Sequence, residues 1–104
     1  MKQVARSARA SNDIEDAVHY YAGQAVDGLV VRFLDAMEAA LDHVATHPGT
    51  GSRRYAQHMP QADLRFWTLN HFPYSVFYVE RKDLIDVIRV LHQASDIPNH
   101  LTTD

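Results

Sequence analysis

The apolar residues of this chain keep one period up to about residue 47 and another from about residue 63. That change restricts the fold more than any other feature. In the first half, Ile14, Ala17, Val18 and Tyr21 recur three and four apart, as do Val26, Leu29, Val30, Phe33, Leu34, Met37, Leu41 and Val44. This spacing lays an apolar stripe along a helix. In the second half, "DLRFWTL", "YSVFYVE" and "LIDVIRVLH" are rich in β-branched and aromatic residues and are bounded by turn formers, which reads as three strands. Helices gathered in one half and strands in the other predict an α+β fold, not an alternating parallel one.

The punctuation between these runs sets expected boundaries. Asn12, with Glu15 three residues on, has the capping-box spacing for the start of a first helix, and Gly23 is a natural stop. A second helix is expected from about Gln24 to His47, ended by "HPGTG" because proline and two glycines cannot continue it. A tight break at Ala22–Gln24 makes the two an antiparallel hairpin. Residues 52–62 read as an irregular connection. "NHFP" and "RKD" are short turns, so the three strands should pair as an antiparallel meander. "KQVAR" near the start reads as an edge strand. The expected architecture is an N-terminal edge strand, then an antiparallel helical hairpin packed on one face of a mostly antiparallel C-terminal sheet. No repeat or linker divides residues 1–104, which form a single domain.

Composition removes several function classes. There is no cysteine, hence no disulfide, thiolate nucleophile or cysteine-based zinc site. No apolar run reaches the roughly 18–20 residues a membrane-spanning helix needs, and "MKQVARSARA" lacks the apolar block of a secretory signal. A cytoplasmic protein without membrane association is expected. The formal net charge of −3 lacks the positive excess of most nucleic-acid binders, so direct DNA binding is not expected.

Several side chains carry candidate chemistry. RNA cleavage without a metal needs a base, an acid and cations on the phosphate, and Arg65, Tyr78, Arg89 and His92 could supply that set. The competing and favoured reading puts Tyr78 in the core or a cross-strand aromatic pair and His92 in a local turn hydrogen bond; the arginines could equally pair with a partner segment or with carboxylates such as Asp86 and Asp96. His43 and His47 have the i, i+4 spacing of two metal ligands, but no third ligand is evident, and histidines near a helix C-terminus suit its dipole. No metal or cofactor is expected. Asp13, Glu15 and Asp16 suit the positive end of the first helix. Arg53 and Arg54 form the densest basic spot, read as a solvated loop. Alternation places Leu64 and Phe66 on one sheet face with Arg65 and Trp67 on the other, and in the third strand sets Arg89 and Leu91 against Ile88, Val90 and His92. Phe66, Trp67, Phe72, Tyr74, Phe77 and Tyr78 cannot all point inward, so both faces carry apolar groups. The second face needs its own cover or a partner.

Four stretches in order, "IEDAVHYYA", "RFLDAMEAALDHVATHPGTG", "LRFWTLNHFPYSVFYVE" and "IDVIRVLHQASDIPNHL", resemble the ParE-type toxins of bacterial toxin–antitoxin pairs, within the RelE/ParE superfamily. The resemblance covers most of the chain. It implies a toxin neutralised by a cognate antitoxin in a hetero-oligomer, with DNA gyrase as the target, inhibited by binding. The RelE-type relatives instead cut messenger RNA on the ribosome, and for that alternative Arg65, Tyr78, Arg89 and His92 are the catalytic candidates. A relative that binds antitoxin but poisons nothing is the third reading. The resemblance points to Arg89, His92, Asp96 and Leu101 as target-binding residues. Trp67, Tyr74 and Arg65 are the expected antitoxin contacts. Ser95 stands where ParE-like sequences often carry arginine before the aspartate, and the negative net charge departs from the basic ribosome-directed branch.

Overall fold

The computed structural model describes residues 1–102. The elements run β1 (Gln3–Arg6), α1 (Ala8–Ala22), α2 (Leu29–Thr46), β2 (Leu64–Thr68), β3 (Tyr74–Glu80), β4 (Leu84–His92) and α3 (Ile97–Thr102). One-turn 3-10 segments occupy Pro48–Thr50 and Ala56–His58. The sheet order is β1-β4-β3-β2. Strands β2, β3 and β4 form the expected antiparallel meander, and β1 lies at the edge, parallel to β4. The α+β architecture is the expected one.

Two helix starts differ from expectation. Helix α1 begins at Ala8, not after Asn12, because Ser7 caps it: the Ser7 hydroxyl accepts a hydrogen bond from the Ala10 N–H. The same residue extends the β1–β4 ladder, its N–H donating to the Val87 carbonyl at 2.9 Å. Strand pairing and capping thus converge on Ser7, and the Asn12–Glu15 pattern ends up inside the helix. Helix α2 begins at Leu29, because Ala25 and Gly28 have positive φ (54° and 76°) and interrupt the helical path. Val26 therefore lies in the connection and is exposed, as are Val31 and Leu34 on the outer side of α2.

The main core lies between the hairpin and one sheet face. Ile14 and Ala17 from α1 and Phe33, Met37, Ala40 and Val44 from α2 meet Val76, Tyr78, Ile85, Val87 and Val90. Burying an aliphatic or aromatic side chain here stabilises by about 1.5–3 kcal/mol. The opposite face is covered by the chain itself. Leu64, Phe77, Val79 and Leu91 pack under Ile97 and Leu101 of α3 and under Tyr55, Met59 and Ala62 of the 52–62 segment. The irregular connection and the tail are thus a second, thinner layer.

Strand β4 departs from simple alternation. Tyr78 pairs with Val87 but its neighbour Phe77 pairs with Arg89, so Ile88 is an extra residue, a β-bulge. Val87 and Val90, three apart, consequently both face the helices, and Ile88 and Leu91 both face the second layer. The expected grouping of Ile88 with Val90 on one face fails for this reason. Alternation holds in β2, where Trp67 joins the helix-side core and Leu64 and Phe66 the other.

Candidate functional site

Beyond Arg6, β1 no longer covers the edge of β4, and α1 takes over its hydrogen-bonding groups. The Ser7 hydroxyl donates to the Ile88 carbonyl at 2.8 Å, and the Asp13 carboxylate accepts the Val90 N–H at 2.9 Å. Asp13 also receives a two-pronged contact from Arg89, with Nε and Nη2 each 2.9 Å from one carboxylate oxygen. This is the strong fork geometry of a guanidinium–carboxylate pair. The two side chains are only 15% and 14% exposed, and the Asp13 hydrogen bond holds the Arg89 pKa above its ordinary value. The remaining arm of Arg89, Nη1, donates to the His100 carbonyl at 3.2 Å. One arginine therefore ties α1, the bulged strand and α3 together. Neither Asp86 nor Asp96 is its partner: Asp86 pairs with Arg81, and Asp96 accepts from the Asn99 N–H at the start of α3.

A cleft of about 520 Å³ lies on the outer side of this clamp, between α1 and the end of β4. Asp13, Asp16 and Tyr20 line it from α1, Tyr74 and His92 from the sheet, and His100 from α3. His92 holds its own turn, its Nδ1 accepting from the Ala94 N–H at 2.9 Å, and its ring stands edge-on to Tyr74 at 5.0 Å. Tyr74 also packs against Tyr21 and Phe33. Burial first, then the nearby Tyr20 and Asp16, raises the pKa of its phenol. Leu101 is buried in the second layer.

Arg65 and Tyr78, cross-strand neighbours on β2 and β3, are engaged elsewhere, at the turn that follows α2. The buried Tyr78 hydroxyl donates to the Pro48 carbonyl at 2.6 Å and accepts the Gly51 N–H at 3.1 Å. Burial pushes the Tyr78 pKa up, partly offset by the Gly51 N–H and the Arg65 charge. Arg65 donates to the Gly49 and Gly51 carbonyls and pairs with Asp63. Trp67 lies beside this knot, stacked on His43 with ring centroids 3.8 Å apart and planes 15° from parallel. His43 in turn contacts the Thr50 hydroxyl, and His47 lies next to it with ring centroids 5.5 Å apart. Of the basic loop pair, Arg53 bonds Asp63 and Arg54 sits over the Tyr55 ring.

The residues singled out in the sequence thus divide into two groups. Arg89 and His92 come together at the α1–β4–α3 junction, joined by Tyr74. Arg65, Tyr78 and Trp67 gather around the turn after α2. Asp13, Asp16, Tyr20 and His100 complete the first group, and sequence reasoning missed them as site residues. Asp13 stands 76 positions from Arg89, and no local pattern announces such a pair. Among the described residues no helix is long and apolar enough to cross a membrane.

No curated protein matches the chain. Among solved structures, one described as the chromosomal ParDE TA system from P. aeruginosa shares the fold, with a TM-score of 0.71 at 14% identity, over 88% of this chain and 96% of that one. The family model for the ParE toxin of the type II toxin–antitoxin system, parDE, matches residues 4–97. With a match running from β1 to the first residue of α3, the chain belongs to the ParE toxin family of type II toxin–antitoxin systems.

Proposed function

We propose that this chain arrests growth by binding its target, DNA gyrase, and is silenced by a cognate antitoxin. The observation that supports binding over RNA cleavage is the engagement of Arg65, Tyr78, Arg89 and His92. A general acid or base needs a free proton position within reach of substrate. The Tyr78 hydroxyl is instead buried and holds both Pro48 and Gly51, and Arg89 is neutralised by Asp13. Arg89, His92, Asp96 and Leu101 act together on this reading: Asp96 and Leu101 seat α3, Arg89 fastens it, and His92 shapes the preceding turn. Trp67, Tyr74 and Arg65 are the antitoxin contacts on the helix side of the sheet. Partly exposed aromatics of this kind serve as anchors in interfaces.

The deciding experiment is pulse labelling of DNA and protein synthesis after brief induction of the chain alone in bacteria. DNA synthesis should stop first. If protein synthesis stops first, the nuclease reading replaces this one. If neither changes while the chain remains folded, it is a binder of antitoxin without a poisoned target.

A further inference from the structure

The cleft beside the Arg89 clamp carries charge and aromatic surface that the clamp does not use. Asp13 and Arg89 neutralise each other, so the Asp16 carboxylate is the uncompensated charge of the cleft's α1 side. Among the described residues it has no hydrogen bond or ion pair. One turn further along α1 stands Tyr20, 60% exposed, and across the cleft is Tyr74. The Asp16 charge reaches the Tyr74 phenol, since it contributes to the raised pKa there. An anion entering this space would meet Asp16 and find the Arg89 arms already occupied. A cation would gain an ion pair and the negative faces of two phenol rings.

We propose that this cleft takes the guanidinium or ammonium head of a basic side chain presented by the antitoxin, with Asp16 as its ion-pair partner and Tyr20 and Tyr74 as aromatic walls. A planar guanidinium suits it better than an ammonium, because it can stack on a ring while bonding a carboxylate. The occupant would cover Arg89 and His92, so one inserted side chain would shield two residues assigned to the target. In this the inference rests on the function proposed above.

N-acetyl-arginine amide, titrated into the folded chain and followed by NMR, tests the site without any antitoxin. Shifts should centre on Asp16, Tyr20 and Tyr74, and the neutral isostere N-acetyl-citrulline amide should bind at least about tenfold more weakly. Asp16→Asn should weaken arginine-amide binding by about tenfold and Tyr20→Ala by about threefold. Both positions are exposed, so the variants keep the fold, as circular dichroism would verify. Equal binding of the arginine and citrulline compounds, or shifts confined to another surface, would overturn the site. In the complex with the antitoxin that silences the chain on co-expression, Asp16→Asn should raise the dissociation constant by at least about tenfold. Undiminished antitoxin affinity together with loss of growth arrest would hand the cleft to the target and overturn the assignment. If no antitoxin silences the chain, the functional reading fails, and the amide titration still decides whether the site exists.

Discussion

A methyl group on Gly51 would overlap the Tyr78 hydroxyl and press on the Cβ of Arg65. Glycine is required there because the backbone approaches the buried phenol closely enough to bond it, not because of a special φ. Gly51→Ala should cost about 3 kcal/mol, combining overpacking with the loss of a buried hydrogen bond; urea unfolding would measure it. Tyr78→Phe leaves Pro48 and Gly51 without their shared partner and should cost about 1–3 kcal/mol. Tyr78 also sets an alkaline limit, together with Tyr21 and Tyr74, since burial raises all three above the ordinary tyrosine value of about 10. A pKa raised in the folded state means that the folded chain holds the proton longer than the unfolded chain does. The associated stability is complete below pH 10, the unfolded value, and is lost as pH rises through the higher folded values. Denaturation midpoints should therefore be level up to about pH 10 and fall beyond it, with phenolate absorbance lagging behind that of a free tyrosine mixture.

At the scale of elements, the α1–β4 junction depends on Asp13. Its carboxylate answers the Arg89 fork and the Val90 N–H left facing away from β3. Asp13→Ala would strand a largely buried guanidinium and an unpaired amide at once, and should cost about 3–5 kcal/mol. Asp13→Asn retains an acceptor and should cost less, so comparing the two unfolding curves separates hydrogen bonding from charge. Arg89→Ala is then an ambiguous probe of target binding, because it also releases the His100 carbonyl and with it α3. Arg89→Lys keeps the charge but not the fork, and a stability measurement should accompany either variant.

At the scale of the whole molecule, the sheet is enclosed unequally. Among the described residues, one face carries the two long helices, and the other the 52–62 segment and the short helix α3. Ile97 and Leu101 of α3 are part of that cover. Leu101→Asp should cost about 2–5 kcal/mol, the range for losing a buried leucine side chain. It should also bare Leu64, Phe77 and Leu91, raising the binding of a hydrophobic dye before the main unfolding transition. Unchanged dye binding would mean that the 52–62 segment closes the face by itself.

The change from helical to strand periodicity, the three strand runs and the stop at "HPGTG" were all readable along the chain, because each is set by neighbours within one element. Trp67 and Leu64 took the faces that alternation assigns them for the same reason. Helix α1 starts earlier than the Asn12–Glu15 pattern indicates because Ser7 is chosen by its pairing with Val87, a partner 80 positions away, and not by local capping preference alone. Alternation failed in β4 because the bulge at Ile88 depends on what lies across from it. The apolar second face was legible as a need for cover, but which segments supply the cover was not. The amino-acid order therefore determined the elements, the α+β class and the family resemblance, all carried by local pattern. Only the tertiary structure decided that Arg89 meets Asp13, that Tyr78 holds Gly51, and that Asp16, Tyr20 and Tyr74 share a cleft, because those groups are brought together by packing between elements distant along the chain.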